Sequence, residues 1–134
     1  MNKISFSKFL PLILFAAIIM TFIVGCSKKE DVSQSKVTSK AFTLTVTDKE
    51  GDESVFDIQT EKKTVGEALI DEGLIEGTDG EYGLYITKVN GIEAIYENDG
   101  TYLAFYINGE YATSGVDTTD VEDGARYDLK VEGN

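Results

Sequence analysis

Residues 41–69 read AFTLTVTDKEGDESVFDIQTEKKTVGEAL, and this stretch holds two alternating segments followed by the start of a helix. Phe42, Leu44 and Val46 alternate with threonines, which is the period of two of a half-buried strand. After an Asp-Lys-Glu-Gly-Asp turn, residues 55–59 again alternate between two faces. The stretch therefore predicts a β-hairpin that leads into a helix.

The helix signal begins at Thr64. Thr64 followed three residues later by Glu67 is a capping box, in which each side chain accepts a hydrogen bond from a free backbone N–H. Gly73 is placed to end the helix in the left-handed conformation. We therefore predict one short helix of about two to three turns. Leu74 and Ile75 are expected to continue the apolar surface of the helix beyond its end at Gly73.

The rest of the domain is predicted to consist of strands joined by tight turns. Further strands are expected at residues 82–89, 102–107 and 126–131, and the Asn-Gly pairs after the first two are strong turn signals. A hairpin, a helix and then more strands is the element order of the β-grasp, or ubiquitin-like, fold. We therefore predict an α+β domain over residues 41–134, with one short helix packed on a mixed sheet.

The first 25 residues have the features of an export signal. Lys3 and Lys8 precede an apolar run of about 16 residues, whereas a transmembrane helix needs roughly 20. The run ends in Ile-Val-Gly-Cys, similar to the lipobox of bacterial lipoproteins, which implies cleavage between Gly25 and Cys26. The resemblance implies a signal peptide at residues 1–25 and a lipid, such as palmitate, on Cys26. An uncleaved N-terminal anchor with an incidental cysteine is the alternative.

Residues 26–40 are polar and lack hydrophobic periodicity, so we expect a flexible tether behind the lipid anchor. The chain is then a lipoprotein on the extracytoplasmic face of the cell membrane, and the membrane is its first partner. The formal net charge of −12 excludes a basic nucleic-acid footprint. Because the chain has no histidine, the commonest general base and metal ligand is missing. We expect neither an enzyme nor a metal site.

A series of short motifs runs through the domain. Seven of them occur in order: Thr64-Val65-Gly66-Glu67-Ala68-Leu69, Tyr82-Gly83 with Tyr85-Ile86, Val89-Asn90-Gly91-Ile92, Thr101-Tyr102-Leu103-Ala104-Phe105-Tyr106, Asn108-Gly109-Glu110, Gly115-Val116-Asp117 and Asp123-Gly124. Together they resemble the transcobalamin-like C-terminal domain family over about residues 41–132. In that family a β-grasp module closes over cobalamin in vitamin carriers, and it also occurs alone in bacterial surface lipoproteins.

The family resemblance implies a ligand-contacting segment at Leu103, Ala104 and Phe105. The family usually has Tyr-Trp where this chain has Tyr102-Leu103. In the carriers a helical barrel forms the other half of the ligand cage, and the residues after the signal leave no room for one. We therefore expect no bound cofactor. Binding of cobalamin or another corrinoid is not expected either, but it can be tested.

Tyrosines are the remaining candidates for a binding surface. The period of two divides the strand at residues 102–107 into an apolar face, which includes Phe105, and a face that turns Tyr102 and Tyr106 outward. Tyr82 is a third candidate, since tyrosine combines apolar area with a polar tip.

Two functions fit these features. We expect a non-catalytic module that captures a small molecule for a membrane transporter, and the alternative is a protein–protein adaptor of the cell envelope. A pocket rimmed by Tyr82, Tyr102 and Tyr106 would favour the first function. A flat aromatic patch or an unpaired strand edge would favour the second.

Replacement of Cys26 tests the lipoprotein assignment. We expect the unaltered chain to incorporate an alkyne-tagged palmitate in a bacterial host and to fractionate with the membrane. Cys26→Ala removes the thiol that carries the lipid, so the label should disappear and the signal should stay uncleaved. Ser27→Ala, at the neighbouring residue, is the control and should leave labelling intact. A labelled Cys26→Ala chain would contradict the assignment.

Overall fold

The computed structural model describes residues 38–133. Its strands, in chain order, are β1 (Lys40–Thr47), β2 (Glu53–Thr60), β3 (Ile75–Gly80), β4 (Gly83–Val89), β5 (Ile92–Glu93), β6 (Thr101–Ile107), β7 (Glu110–Tyr111) and β8 (Arg126–Gly133). The helices of this part of the chain are α1 (Val65–Asp71) and α2 (Tyr96–Asp99). One sheet has five strands in the order β2-β1-β8-β6-β7, and the other has three in the order β3-β4-β5.

The five-stranded sheet is mixed because β1 has a different relation to each neighbour. It pairs antiparallel with β2, where Leu44 lies opposite Phe56, and this confirms the predicted hairpin. It pairs parallel with β8, where Leu44 lies opposite Tyr127. The parallel pairing joins the N-terminal hairpin to the C-terminal strand. The predicted α+β architecture with a mixed sheet is therefore confirmed.

Helix α1 begins and ends as the sequence predicts. The Thr64 hydroxyl accepts a hydrogen bond from the Glu67 N–H at 3.3 Å, and the Glu67 carboxylate accepts one from the Thr64 N–H at 3.2 Å. At the other end, Gly73 has a φ of +68°. The N–H groups of Gly73 and Leu74 donate to carbonyls of the last helical turn, both at 2.9 Å. These two hydrogen bonds form a Schellman motif, which satisfies carbonyl groups that the helix leaves without a partner.

The start of α1 packs against the segment of residues 114–125, which leads into β8. The Gly66 N–H donates to the Val116 carbonyl at 2.7 Å. A Cβ added to Gly66 would lie 3.0 Å from the Cα and the backbone nitrogen of Asp117. Since the neighbouring atoms belong to backbone, only glycine permits this approach without a shift of the chain.

The core lies between α1 and the inner face of the five-stranded sheet. Tyr127, at its centre, is fully buried and packs edge-on against Phe42 at 5.2 Å, with a stacked contact to Phe105 at 5.9 Å. The Tyr127 hydroxyl donates to the Asp120 carbonyl at 3.3 Å and accepts from the Glu122 N–H at 3.1 Å. Because the one polar tip of this side chain is satisfied, Tyr127 ties the segment before β8 to the core.

Strand β3 and helix α2, like the two-residue strands β5 and β7, are not predicted from the sequence. Strand β3 follows α1 directly, but only Ile75 in it is buried, so no alternation marks the strand. Helix α2 has four residues, and its N-cap, Ile95, makes no side-chain capping hydrogen bond. The expectation of one helix on one sheet is therefore incomplete, since the described residues add a short helix and a second sheet.

The predicted signal peptide at residues 1–25, the lipid site at Cys26 and most of the tether lie outside the described residues. No helix within residues 38–133 is long and apolar enough to cross a membrane. The boundaries of the tether at 26–40 and of the domain at 41–134 stay predictions.

Candidate functional site

Three tyrosines come together on the outer face of the five-stranded sheet, which is turned away from the core. Tyr102 of β6 lies directly opposite Glu132 of β8. Tyr106 lies four residues further along β6, directly opposite Tyr111 of β7. Lys130 is the neighbour of Glu132 on the same face of β8. We call Tyr102, Tyr106, Tyr111, Lys130 and Glu132 the tyrosine platform.

Glu132 holds both tyrosines of β6. The Tyr106 hydroxyl donates to Oε1 of Glu132 at 2.5 Å, and the Tyr102 hydroxyl donates to Oε2 at 3.2 Å. These hydrogen bonds stabilise the protonated phenols, and burial and the carboxylate charge add to the effect. The pKa of Tyr106 is raised to about 12, and the pKa of Tyr102 is also raised above its ordinary value. Both phenols therefore stay neutral donors across the physiological pH range.

Two ring contacts fix the position of Tyr106. The ring of Tyr111 packs edge-on against it, with centroids 5.4 Å apart and planes at 84°. The Nζ atom of Lys130 lies 4.8 Å from the ring centroid, as in a cation–π interaction. The position of Tyr106 is thus fixed by its hydrogen bond to Glu132 and by its ring contacts with Tyr111 and Lys130. The side chain of Tyr111 remains 61% exposed. Rings that are already ordered lose little conformational entropy when a ligand binds.

A surface cavity of about 520 Å³ opens beside the platform. The β6–β7 hairpin and the residues after it line the cavity: Ile107, Asn108, Glu110, Tyr111, Ala112 and Thr113. Small-molecule pockets have volumes of roughly 300–1,000 Å³. Because Tyr111 belongs both to the cavity and to the platform, one bound molecule can contact both.

The segment that the family resemblance assigns to ligand contact is mostly turned away from this surface. Phe105 lies in the core against Tyr127, and Leu103 packs against the same core. Ala104 shares the outer face with the tyrosines but is only 1% exposed. The alternation along β6 is as predicted. Burial leaves Ala104 and Phe105 little exposed surface, and the assignment of the three residues to ligand contact stays a prediction.

Tyr82 lies outside the five-stranded sheet that carries the platform. It occupies the turn between β3 and β4 and is 94% exposed. Besides the cavity at Tyr111, the described surface has one of about 490 Å³ where β1 pairs with β2 and one of about 200 Å³ beside Glu132. Tyr82, Tyr102 and Tyr106 line none of these three cavities. The pocket that would be rimmed by the three tyrosines is therefore not among them.

Glu132 and Lys130 are the platform residues that the sequence does not single out. The alternation of the last strand puts both on its polar face, opposite Leu129 and Val131. That pattern predicts exposure, but it carries no information on which strand becomes the neighbour of β8. The pairing with β6 gives these two side chains their partners.

Acidic side chains are spread over the surface of the described residues without forming a metal-ion cluster. Within residues 38–133, no group of three or more His, Cys, Asp or Glu side chains is arranged to hold a metal ion. One carboxylate oxygen of Asp117 is buried without a hydrogen-bond partner, close to Gly83 and Gly115.

The sequence of residues 62–132 matches the model of a family described as a domain of unknown function (DUF4430). No curated protein sequence matches the chain. Among solved structures, a candidate metal binding protein from Ruminococcus gnavus ATCC 29149 is 34% identical in sequence to this chain, and its TM-score is 0.67. The match covers 71% of this chain and 98% of the Ruminococcus gnavus protein. The structure of haptocorrin in complex with Cbi is 18% identical in sequence, with a TM-score of 0.57. That match covers 72% of this chain and 25% of the haptocorrin chain. The likeness to haptocorrin shows a shared fold, and this chain spans only a quarter of its length.

Glu132→Gln tests the hydrogen bonds that hold the platform. Glutamine keeps an acceptor oxygen but has no charge, so we expect the pKa of Tyr106 to fall from about 12 towards its ordinary value. The ring-carbon NMR shift of each tyrosine, followed through a pH titration, measures this pKa. Glu110→Gln removes a carboxylate from the same hairpin and is the matched control. A pKa of Tyr106 that is the same in Glu132→Gln and in the parent chain would contradict the geometry.

The raised pKa also sets a pH window for stability. Tyr106 holds its proton more tightly in the folded chain than in the unfolded chain, where its pKa is about 10. Its contribution to stability is therefore complete below about pH 10 and is lost as the pH rises towards 12. Denaturant titrations across this window should show a larger loss for the parent chain than for Glu132→Gln. Equal losses would count against the proposed role of Glu132.

Proposed function

The chain belongs to the family described as a domain of unknown function (DUF4430), and we propose that it is a non-catalytic module that captures a small molecule on its tyrosine platform. The ordered rings of Tyr102, Tyr106 and Tyr111, held by Glu132 and Lys130, carry this proposal. Aromatic rings offer apolar area, and the nearby carboxylate and phenols offer hydrogen bonds. This combination is typical of small-molecule sites.

The similar solved structures support the proposal that this chain binds a small molecule, but they do not identify that molecule. Haptocorrin holds Cbi, but at 18% identity its likeness extends to the fold only. The Ruminococcus gnavus protein, at 34% identity, is described as a candidate metal binder. Within residues 38–133 of this chain, no cluster of three acidic, cysteine or histidine side chains meets the needs of a metal ion. We propose an organic ligand because the platform offers aromatic rings and phenol groups.

The sequence supports the remaining parts of the proposal. The lipobox-like segment that ends in Cys26 would tether the module to the extracytoplasmic face of the cell membrane. A tether raises the local concentration of captured ligand at the membrane, where a transporter can take it up. We propose a non-catalytic role because the chain has no histidine and its single cysteine is assigned to the lipid.

Equilibrium dialysis of membrane vesicles that carry the full chain tests capture. The vesicles are dialysed against cobinamide, and separately against the low-molecular-mass fraction of the medium in which the native host grows. Retained compounds are identified by mass spectrometry. We expect retention above that of vesicles without the chain, and a loss of about tenfold in the double variant Tyr102→Ala/Tyr106→Ala.

Tyr96→Ala is the matched control for this experiment. Tyr96 is 60% exposed but lies in α2, outside the platform, so its removal should leave retention unchanged. The proposal is wrong if folded chain retains no compound above the chain-free vesicles. It is also wrong if Tyr96→Ala lowers retention as much as the double variant does.

A further inference from the structure

Strand β2 is an edge of the five-stranded sheet along its whole length. All eight of its residues pair with β1, and no strand among residues 38–133 pairs with its other side. The register runs without a bulge from Lys40 opposite Thr60 to Thr47 opposite Glu53. A regular edge of this length is a template for one more strand.

The hydrogen bonds of β1 show which groups of β2 face outward. The Thr43 N–H donates to the Ala125 carbonyl at 3.0 Å, and the Gly124 N–H donates to the Ala41 carbonyl at 2.7 Å. Both bonds lie on the side of β1 that faces β8. Thr43 therefore does not form a hydrogen-bonded pair with Asp57, the residue opposite it in β2.

The same alternation extends along β2. In an antiparallel ladder, bonded and non-bonded pairs alternate, so the N–H and C=O groups of Glu53, Val55, Asp57 and Gln59 point away from β1. The side chains of all four residues are exposed, and that of Val55 is 62% exposed. Strand β2 has no lysine, proline or bulge to oppose pairing, and its charged residues are Glu53 and Asp57.

The charges of the edge select its partner. Glu53 and Asp57 give the outward side of β2 two negative charges and no positive one. A second copy of β2 would bring like charges together, in a chain whose formal net charge is −12. An extended segment with lysine or arginine at alternate positions would pair each acid with an opposite charge. Charge therefore favours a basic partner over self-association.

A cavity of about 490 Å³ adjoins the same edge. Strand β2 contributes Asp57, Ile58 and Gln59 to its lining, and Glu72, which follows α1, adds a second carboxylate. Because Asp57 and Gln59 belong both to the outward edge and to the lining, a long side chain of an added strand would lie close to the cavity. The two carboxylates favour lysine or arginine at that position as well.

We propose that the β2 edge binds an extended basic segment of a protein partner as a sixth strand of the sheet. Backbone groups of Glu53, Val55, Asp57 and Gln59 supply the hydrogen bonds, and the acidic side chains select the sequence. This inference goes beyond capture of a small molecule, since it concerns a second surface and a macromolecular partner. It does not depend on the tyrosine platform.

A synthetic peptide of alternating lysine and valine, as long as β2, tests the proposal on vesicles that carry the full chain. Binding is measured from the fluorescence anisotropy of a dye on the peptide. We expect saturable binding, and its loss when the peptide is N-methylated at alternate residues and cannot pair as a strand. Val55→Pro removes an outward N–H of β2 without removing a bond to β1, so affinity should fall about tenfold.

Charge variants keep the test informative if Val55→Pro fails to fold. Glu53→Gln, on the edge, should weaken binding several-fold, whereas Glu50→Gln makes the same charge change in the preceding turn and should not. Equal effects of the two variants would overturn the proposal, because they would mean non-specific attraction to an acidic chain. Equal binding of the N-methylated peptide would overturn it as well. The variant Tyr102→Ala/Tyr106→Ala should bind the peptide like the parent, so failure of one proposed surface is distinguishable from failure of the other.

Discussion

The close approach of Gly66 to the backbone of Val116 and Asp117 is the constraint on which the rest of the structure depends. It joins the start of α1 to the segment that leads into β8, with the Gly66 N–H bonded to the Val116 carbonyl at 2.7 Å. The same segment is tied to the core by the Tyr127 hydroxyl. Strand β8 then pairs with β1 on one side and β6 on the other, which brings Glu132 beside the tyrosines.

This arrangement separates the two proposed binding surfaces. In the sheet order β2-β1-β8-β6-β7, the β2 edge lies on one side and the tyrosine platform spans the strands at the other. Neighbouring strands are about 4.8 Å apart, so the platform residues of β8 and β6 lie roughly 10–15 Å from β2. A partner strand on β2 therefore leaves the platform open. The two proposed binding events are therefore compatible in space.

Local signals in the sequence predict the hairpin, both ends of α1 and the two faces of β6, because each depends on residues close together in the chain. Strand β3 is missed since only Ile75 in it is buried. The platform is predicted in part: Tyr102 and Tyr106 turn outward as the alternation requires, but Glu132 gains its role only from the pairing of β8 with β6. Tyr82 lies in the turn between β3 and β4 of the other sheet, which no local pattern indicates.

The free energy of unfolding of Gly66→Ala tests the central constraint most directly. Alanine is favoured over glycine inside a helix by about 1 kcal/mol, so a helix free of tight contacts would gain stability. We expect a loss of about 1–3 kcal/mol in a denaturant titration, because the added Cβ meets backbone atoms at 3.0 Å. Ile70→Ala, at a position 55% exposed in the same helix, is the control and should change stability by less than about 0.5 kcal/mol. Unchanged or increased stability of Gly66→Ala would contradict the account.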